Sequence, residues 1–171
     1  MPRSYAVAVL TALLAASPAV AGAKQKPRSI YHSPLLWATV NLCDTAASPD
    51  TIGIRGSIPG SGIKGETMFL RFQVQYFSRT DGKWHNITQG ADSNWVPVGS
   101  ATFKARQAGW SFRFNTPAAG STDLLRGAVS YEWRKGSKVV RHARKRTTGG
   151  HESAAGSDPP GYSAPNCEIK T

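Results

Sequence analysis

LLRGAVSYEWRKGSKVVRHARKR, residues 124–146, holds both the clearest structural signal of this chain and its densest charge. Leu125, Val129, Tyr131 and Trp133 share one parity with Gly127, while Arg126, Ser130, Glu132 and Arg134 take the other, which is the period of two of a half-buried strand. Lys135, Gly136 and Ser137 supply a turn in which Gly136 is free to take a positive φ. The returning segment, Lys138–Arg146, is basic on both faces apart from Val139, Val140 and Ala143. The stretch therefore predicts a β-hairpin that gives its sheet a strongly positive edge.

The same period recurs upstream. From Thr67 to Ser78, Met68, Leu70, Phe72, Val74 and Tyr76 point one way and Phe69, Arg71, Gln73, Gln75 and Phe77 the other; strict parity with β-branched and aromatic content disfavours a helix. Asp81-Gly82 then signals a hairpin into the strand WHNI. Leu35 to Cys43 alternates Leu36, Ala38, Val40 and Leu42 with Trp37, Thr39, Asn41 and Cys43, and Thr51 to Ile58 follows as a second short strand. PGSGIKGE, from Pro59 to Glu66, is turn chemistry throughout. WVPVG and SATFKA read as one interrupted strand, with Pro97 at an edge because it has no N–H to donate. Gly109 opens WSFRFN, in which Trp110, Phe112 and Phe114 share a face. From Thr147 onward the periodicity stops, and the Gly-, Pro- and Ser-rich composition alone predicts a disordered tail.

The first residues hold one cation, Arg3, then an apolar run over 6–16 and small residues at Ala19, Ala21 and Ala23. This is the pattern of a secretory leader over 1–23, too short to span a bilayer core as a helix. A lead-in at 24–34 reads as flexible, 35–147 as the folded domain, and 148–171 as the tail. One domain is expected, because roughly 148 residues remain after the leader. No later segment has a membrane-spanning run, so the product reads as exported and soluble. Without Arg3 the chain keeps 20 Lys plus Arg against 10 Asp plus Glu. Eight of those cations lie between Arg126 and Arg146, opposed by Glu132 alone. In an oxidising compartment the simplest fate of the two cysteines, Cys43 and Cys167, is one disulfide. It would pull the tail back across the body and make Tyr162 and Ile169 candidates for packing, with the PPG turn at 159–161 an ordered bend.

Over about 35–147 the order of strands resembles an immunoglobulin-like or fibronectin type III-like sandwich. Tyr131, in GAVSYEW, is placed as the tyrosine of the penultimate strand is in such domains. The resemblance implies an all-β, antiparallel β-sandwich of about seven strands. Two features depart from it. The inter-sheet disulfide of antibody domains has no counterpart, because Cys43 precedes most of the fold and Cys167 follows all of it. Phe72, Val74 and Tyr76 stand in the third strand where a core tryptophan is expected. In general character, a leader, one β-domain and the segment GHESAAGSDPPGYS at 150–163 before a last cysteine, the chain is similar to uncharacterised exported proteins of actinobacteria, a likeness that brings no activity and no functional residues.

Candidate chemistry is sparse. His32, His85, His142 and His151 have no ligand-type spacing to one another or to a cysteine, so no metal or other cofactor is implied. No nucleophile elbow, zinc-protease or phosphate-loop motif occurs. Asp44, Asp50, Asp81, Asp92, Asp123 and Asp158 all fall in segments read as loops, where turn hydrogen bonding is the ordinary role of aspartate. A hydrolase would have to assemble its carboxylates from such loops. Asn86 opens an N-glycosylation sequon that has meaning only in a eukaryotic secretory host. Arg134, Lys135, Lys138, Arg141, Arg144, Lys145 and Arg146 form a field suited to anionic cell-wall or extracellular polymers. Export makes intracellular nucleic acid a poor partner. The bland reading of the same cations is protection of an edge strand against aggregation. Trp84 and Trp95, flanking one loop, are the candidates for stacking on a glycan. The sequence thus reads as an exported, non-enzymatic binding or surface-associated module using the hairpin cations, with a carbohydrate-binding module or a loop-carboxylate hydrolase as alternatives.

Overall fold

The computed structural model describes residues 29–170 together with Met1. The leader, its cleavage positions and the lead-in as far as residue 28 lie outside the described residues. The described chain forms nine strands: β1 (Trp37–Thr45), β2 (Ser48–Pro59), β3 (Glu66–Ser78), β4 (Lys83–Asn86), β5 (Asp92–Ser100), β6 (Ala105–Arg113), β7 (Thr122–Lys135), β8 (Lys138–Arg146) and β9 (Cys167–Lys170). The smaller sheet has the order β1-β2-β6. In the larger, β3 and β7 are central, with β4 and β5 along the free side of β3 and β8 and β9 along that of β7. All named strand pairs are antiparallel. The first, second and sixth strands thus face the third, seventh and eighth, the A-B-E against C-F-G division of an immunoglobulin-like sandwich.

The predicted alternation decides which side of each strand is dry. Met68, Leu70, Phe72 and Val74 of β3 and Val129, Tyr131 and Trp133 of β7 are wholly buried and meet Val40, Ile52, Ile54 and Ile58 of the facing sheet. The Trp133 indole N–H donates to the Pro59 carbonyl at 2.9 Å, so the core tryptophan sits on β7. Burial holds the Tyr131 phenol protonated, well above its ordinary range, and its hydroxyl donates at 2.6 Å to the Trp37 carbonyl on β1, linking the sheets. Tyr76 breaks the pattern: at the last position of its parity it is exposed and tilts against His85.

Several expectations change. There are nine strands where about seven were expected. WVPVG and SATFKA are not one strand, because Ala101 is buried in a turn closed by Ser100 and the chain restarts at Ala105 as β6. Trp110 lies open although Phe112 is buried, since β6 is the edge of the smaller sheet. Asp44, Asp50, Asp92 and Asp123 lie within strands, the first two at positive φ. The lead-in is partly docked: Ile30 opens a short 3-10 turn and packs against the core.

The tail follows the expectation drawn from the disulfide and not the one drawn from composition alone. In β1 the register shifts between Val40 and Leu42, so Leu42 faces Gly53 and Cys43 faces the core residue Ile52. This bulge reverses the simple parity and turns Cys43 inward, where it is bonded to the buried Cys167. Ile169 is buried and Tyr162 packs on the core. Between Thr147 and Cys167 the chain crosses the outer side of the smaller sheet. Val40 and Ala164 exchange backbone hydrogen bonds, Asn41 Nδ2 donates to the Gly156 carbonyl at 2.7 Å, and Trp37 stacks on His151 at 4.5 Å. The composition is that of a loose tail, but its backbone groups find partners on β1.

The bond joins residues 124 apart in sequence, for which the chain-entropy model gives about 5 kcal/mol. Cys43→Ser should therefore lower the thermal midpoint by roughly 10 °C and speed proteolysis within 148–166. A midpoint within about 2 °C of the parent would count against a structural role for the bond.

Candidate anion and glycan site

The outward sets of β3 and β7 share one face, because the two strands pair without a register break from Glu66–Lys135 to Tyr76–Leu125. Phe69, Arg71, Gln73, Gln75 and Phe77 therefore lie beside Arg126, Ala128, Ser130, Glu132 and Arg134. Pairing with β8 brings Arg144 opposite Ser130 and Arg146 opposite Ala128. Pairing with β4 and β5 brings Trp84 opposite Phe77 and Trp95 opposite Arg71. Arg144 and Arg146 of the hairpin and the two tryptophans, read as separate candidates from sequence, are thus assembled on the same surface.

Small side chains at Ala128 and Ser130, in mid-sheet between long neighbours, leave two depressions. The first, of about 280 Å³, lies over Ala128 and is walled by Gln75, Arg144, Lys145 and Arg146. The second, of about 230 Å³, lies over Ser130 and Gln73, with Arg71, Asp92 and Trp95 on one flank and Asn86 and Arg144 on others. Arg144 borders both.

The walls are held in place. Arg71 grips Asp92 through both Nε and Nη2 at 2.6 to 2.9 Å, which holds that carboxyl below and the guanidinium above their ordinary ranges. Gln73 Nε2 reaches the carbonyls of Val74, Ile87 and Ala91, and Gln75 Nε2 donates to Asn86, so both glutamines fasten the β4–β5 segment. Arg126 donates to Gln75 Oε1 at 2.9 Å and lies 4.1 Å over the Trp84 ring. Arg134 is paired with Glu132 and stacked over Phe69 at 4.2 Å and Trp95 at 4.9 Å. Both tryptophans are half-buried, each with an arginine on its ring.

Charge is unbalanced in the first depression. The side chains of Arg144, Lys145 and Arg146 make no hydrogen bond or ion pair among the described residues. Burial, then repulsion from Arg146 and Arg144, push the Arg126 guanidinium below its ordinary value. Like charges gathered with no acid between them are stabilised by an anion from outside.

The remaining hairpin cations are elsewhere. Lys135 and Lys138 are exposed at the β7–β8 turn, opposite each other. Arg141 points to the core side, where Nη1 bonds both oxygens of the buried Glu66 at 2.7 Å. Arg71, Gln73, Gln75, Asn86, Asp92 and Arg126 escape sequence reasoning as site residues. The one signal for them is that their parity matches that of the hairpin, which is informative only once β3 and β7 are known to be neighbours. Among the described residues no cluster of His, Cys, Asp or Glu has the makings of a metal site. In comparisons with known proteins, no family model matches the chain and no curated relative is found.

Burial alone would push the Glu66 carboxyl up, but hydrogen bonds from Ser61 and Arg141 outweigh it and leave the group below its ordinary 4.5. A depressed folded value means that the unfolded chain takes the proton first. The stabilisation is then complete above roughly pH 5 and declines as pH falls through the folded value. In urea unfolding, Glu66→Gln should flatten the loss of stability as pH falls below about 5. Arg141→Ala, which strands the carboxylate, should cost about 2 to 3 kcal/mol at neutral pH, below the fully buried range because Arg141 is partly exposed. An unchanged pH slope in Glu66→Gln would show that the pair contributes no linkage.

Proposed function

We propose that this is an exported, non-enzymatic binding module that takes an acidic polysaccharide on the outer face of its larger sheet. The observation that carries the reading is the unpaired pair Arg144 and Arg146, on the outer face of the sheet beside a depression lined by Trp95 and amide side chains. The two guanidinium groups suit a carboxylate, sulfate or phosphate substituent. Trp95, Gln73, Asn86 and Ser130 suit a ring that has one apolar face and a rim of hydroxyls. Arg144, bordering both, would fix the spacing between substituent and ring.

A binding role is favoured over the hydrolytic alternative by the carboxylates. Asp92 is the only one lining either depression, and Arg71 holds it ionised. Glycoside hydrolysis needs a second carboxyl across the bond, with one of the two kept protonated. Export is supported by the leader-like N-terminus and by the Cys43–Cys167 bond. Among the described residues no helix is long and apolar enough to cross a membrane.

Immobilised heparin serves as an acidic polysaccharide for the test. Arg144→Ser combined with Arg146→Ser should weaken binding roughly tenfold and reduce the slope of log affinity against log salt by about 1 to 2. Trp95→Ala should weaken binding about five-fold and leave that slope unchanged, because stacking releases no counterions. Affinity and slope that survive the double arginine substitution would eliminate this face as the site.

A further inference from the structure

We propose that one end of the sandwich docks on an anionic lipid surface, through apolar loop tips ringed by lysines. This contact is separate from the polysaccharide face. The pairings Pro59–Ala105, Thr67–Ser100 and Glu66–Lys135 bring three connections to the same end: residues 60–65 between β2 and β3, 101–104 between β5 and β6, and the β7–β8 turn. Exposed apolar side chains gather there. Phe103 is 47 % exposed, Ile63 and Val139 each 42 % and Val140 38 %. Tyr31, also exposed, lies edge-on to Trp133 near the same end. Scattered apolar residues need no explanation, but a group on adjoining loops marks a contact surface.

The tips are presented rigidly. Gly60 N–H donates to the Lys104 carbonyl at 3.0 Å and Gly62 N–H to that of Ala101 at 2.9 Å. A Cβ on Gly60 would lie 1.9 Å from the Phe103 carbonyl oxygen, so the two loops touch backbone to backbone and only glycine fits. Ile63 and Phe103 are therefore held without large conformational freedom to lose on insertion.

The charge around them is of one sign. Lys64, Lys104, Lys135 and Lys138 are exposed and without an ion pair among the described residues, and Arg106 lies 3.7 Å over the Phe103 ring. Glu66 and Glu132, the acids on the strands that meet at this end, are already matched by Arg141 and Arg134. Asp44, Asp50, Asp81 and Asp123 belong to the opposite end, in or beside the β1–β2, β3–β4 and β6–β7 connections. The molecule would thus approach a negative surface with this end first. A soluble polyanion would satisfy the lysines but not exposed Ile63, Phe103 and Val139. The boundary of a bilayer satisfies both, taking apolar side chains among the acyl chains and ammonium groups among the headgroups.

Sedimentation with vesicles provides the test. The protein should partition at least about tenfold more strongly onto vesicles of phosphatidylcholine with phosphatidylglycerol than onto phosphatidylcholine alone. Phe103→Ser with Ile63→Ser should lower that partition about five-fold or more while leaving heparin retention and the thermal midpoint unchanged. Lys64→Ser with Lys104→Ser, a second and independent pair, should lower it similarly and weaken its salt dependence. Three results would overturn the proposal: equal or absent partition on the two vesicle types; loss of partition on Arg144→Ser with Arg146→Ser but not on the loop substitutions; or self-association in sedimentation velocity that Phe103→Ser abolishes, which would make a second copy the occupant. Heparin affinity and salt slope that survive Arg144→Ser with Arg146→Ser, while the loop substitutions still lower vesicle partition, would sink the polysaccharide reading alone.

Discussion

The unbroken pairing of β3 with β7 is the constraint on which the rest of this structure depends. A strand has only two faces, so a register held over its whole length commits every second residue of both strands to the same side. On one side that yields Met68, Leu70, Phe72, Val129, Tyr131 and Trp133 in the dry interior. On the other it aligns arginines, glutamines and aromatics with the small pair Ala128 and Ser130. A slip by one residue would expose Trp133 and bury Arg134, so the apolar side enforces the polar one. The candidate site is in this sense a by-product of core packing, with geometry as rigid as the core behind it.

A sandwich has two outer faces, and this one treats them differently. The chain after β8 crosses the smaller sheet, satisfies the free edge of β1 and ends in β9 under the disulfide. Thr39 and Asn41, polar residues on a nominally outward parity, are buried beneath it and hydrogen-bonded to Ser163 and Gly156. Thr147, also buried, joins the Gly127 backbone to the Pro165 carbonyl where the tail leaves the sheet. Gly127 has to be glycine there, because a Cβ would meet Thr147 at 2.7 Å and Ile54 at 2.8 Å. With one face covered by the chain itself, the outer face of the larger sheet is the more open of the two.

Sequence period revealed what the sheets' interiors would be and little of what lies on them. The parities of Thr67–Ser78 and of 124–134 were readable because burial on one side imposes them residue by residue. The tail was legible only through Cys167, because its order comes from backbone groups pairing with β1, and composition carries no record of where a carbonyl finds its donor. The bulge at Asn41 was hidden for a similar reason, since one extra residue alters parity without altering composition. As for the site, Trp84, Trp95 and the hairpin cations were each visible as residue types. Their convergence was not, because it depends on β4, β5 and β8 flanking the same central pair, a long-range fact that no local period encodes.

Alternation also sorts the basic strand. Of its cations, Arg141 turns inward and is neutralised by Glu66, whereas Arg144 and Arg146 turn outward and meet no acid. Protection of an edge accounts for charge anywhere along β8, since any lysine or arginine there deters pairing with another sheet. It does not account for Ala128 and Ser130, which sit on β7, inside the sheet, where no edge needs guarding. Nor does it account for the arginines laid on Trp84 and Trp95, which are the more polarised and better fixed for lying there. A purely defensive surface would be served as well by long side chains across the middle of the sheet, and such chains would fill the trough. Keeping those two central positions small, while crowding cations that repel one another along their border, is not something a defensive edge requires, and it is on this arrangement that the proposal of a negatively charged partner rests.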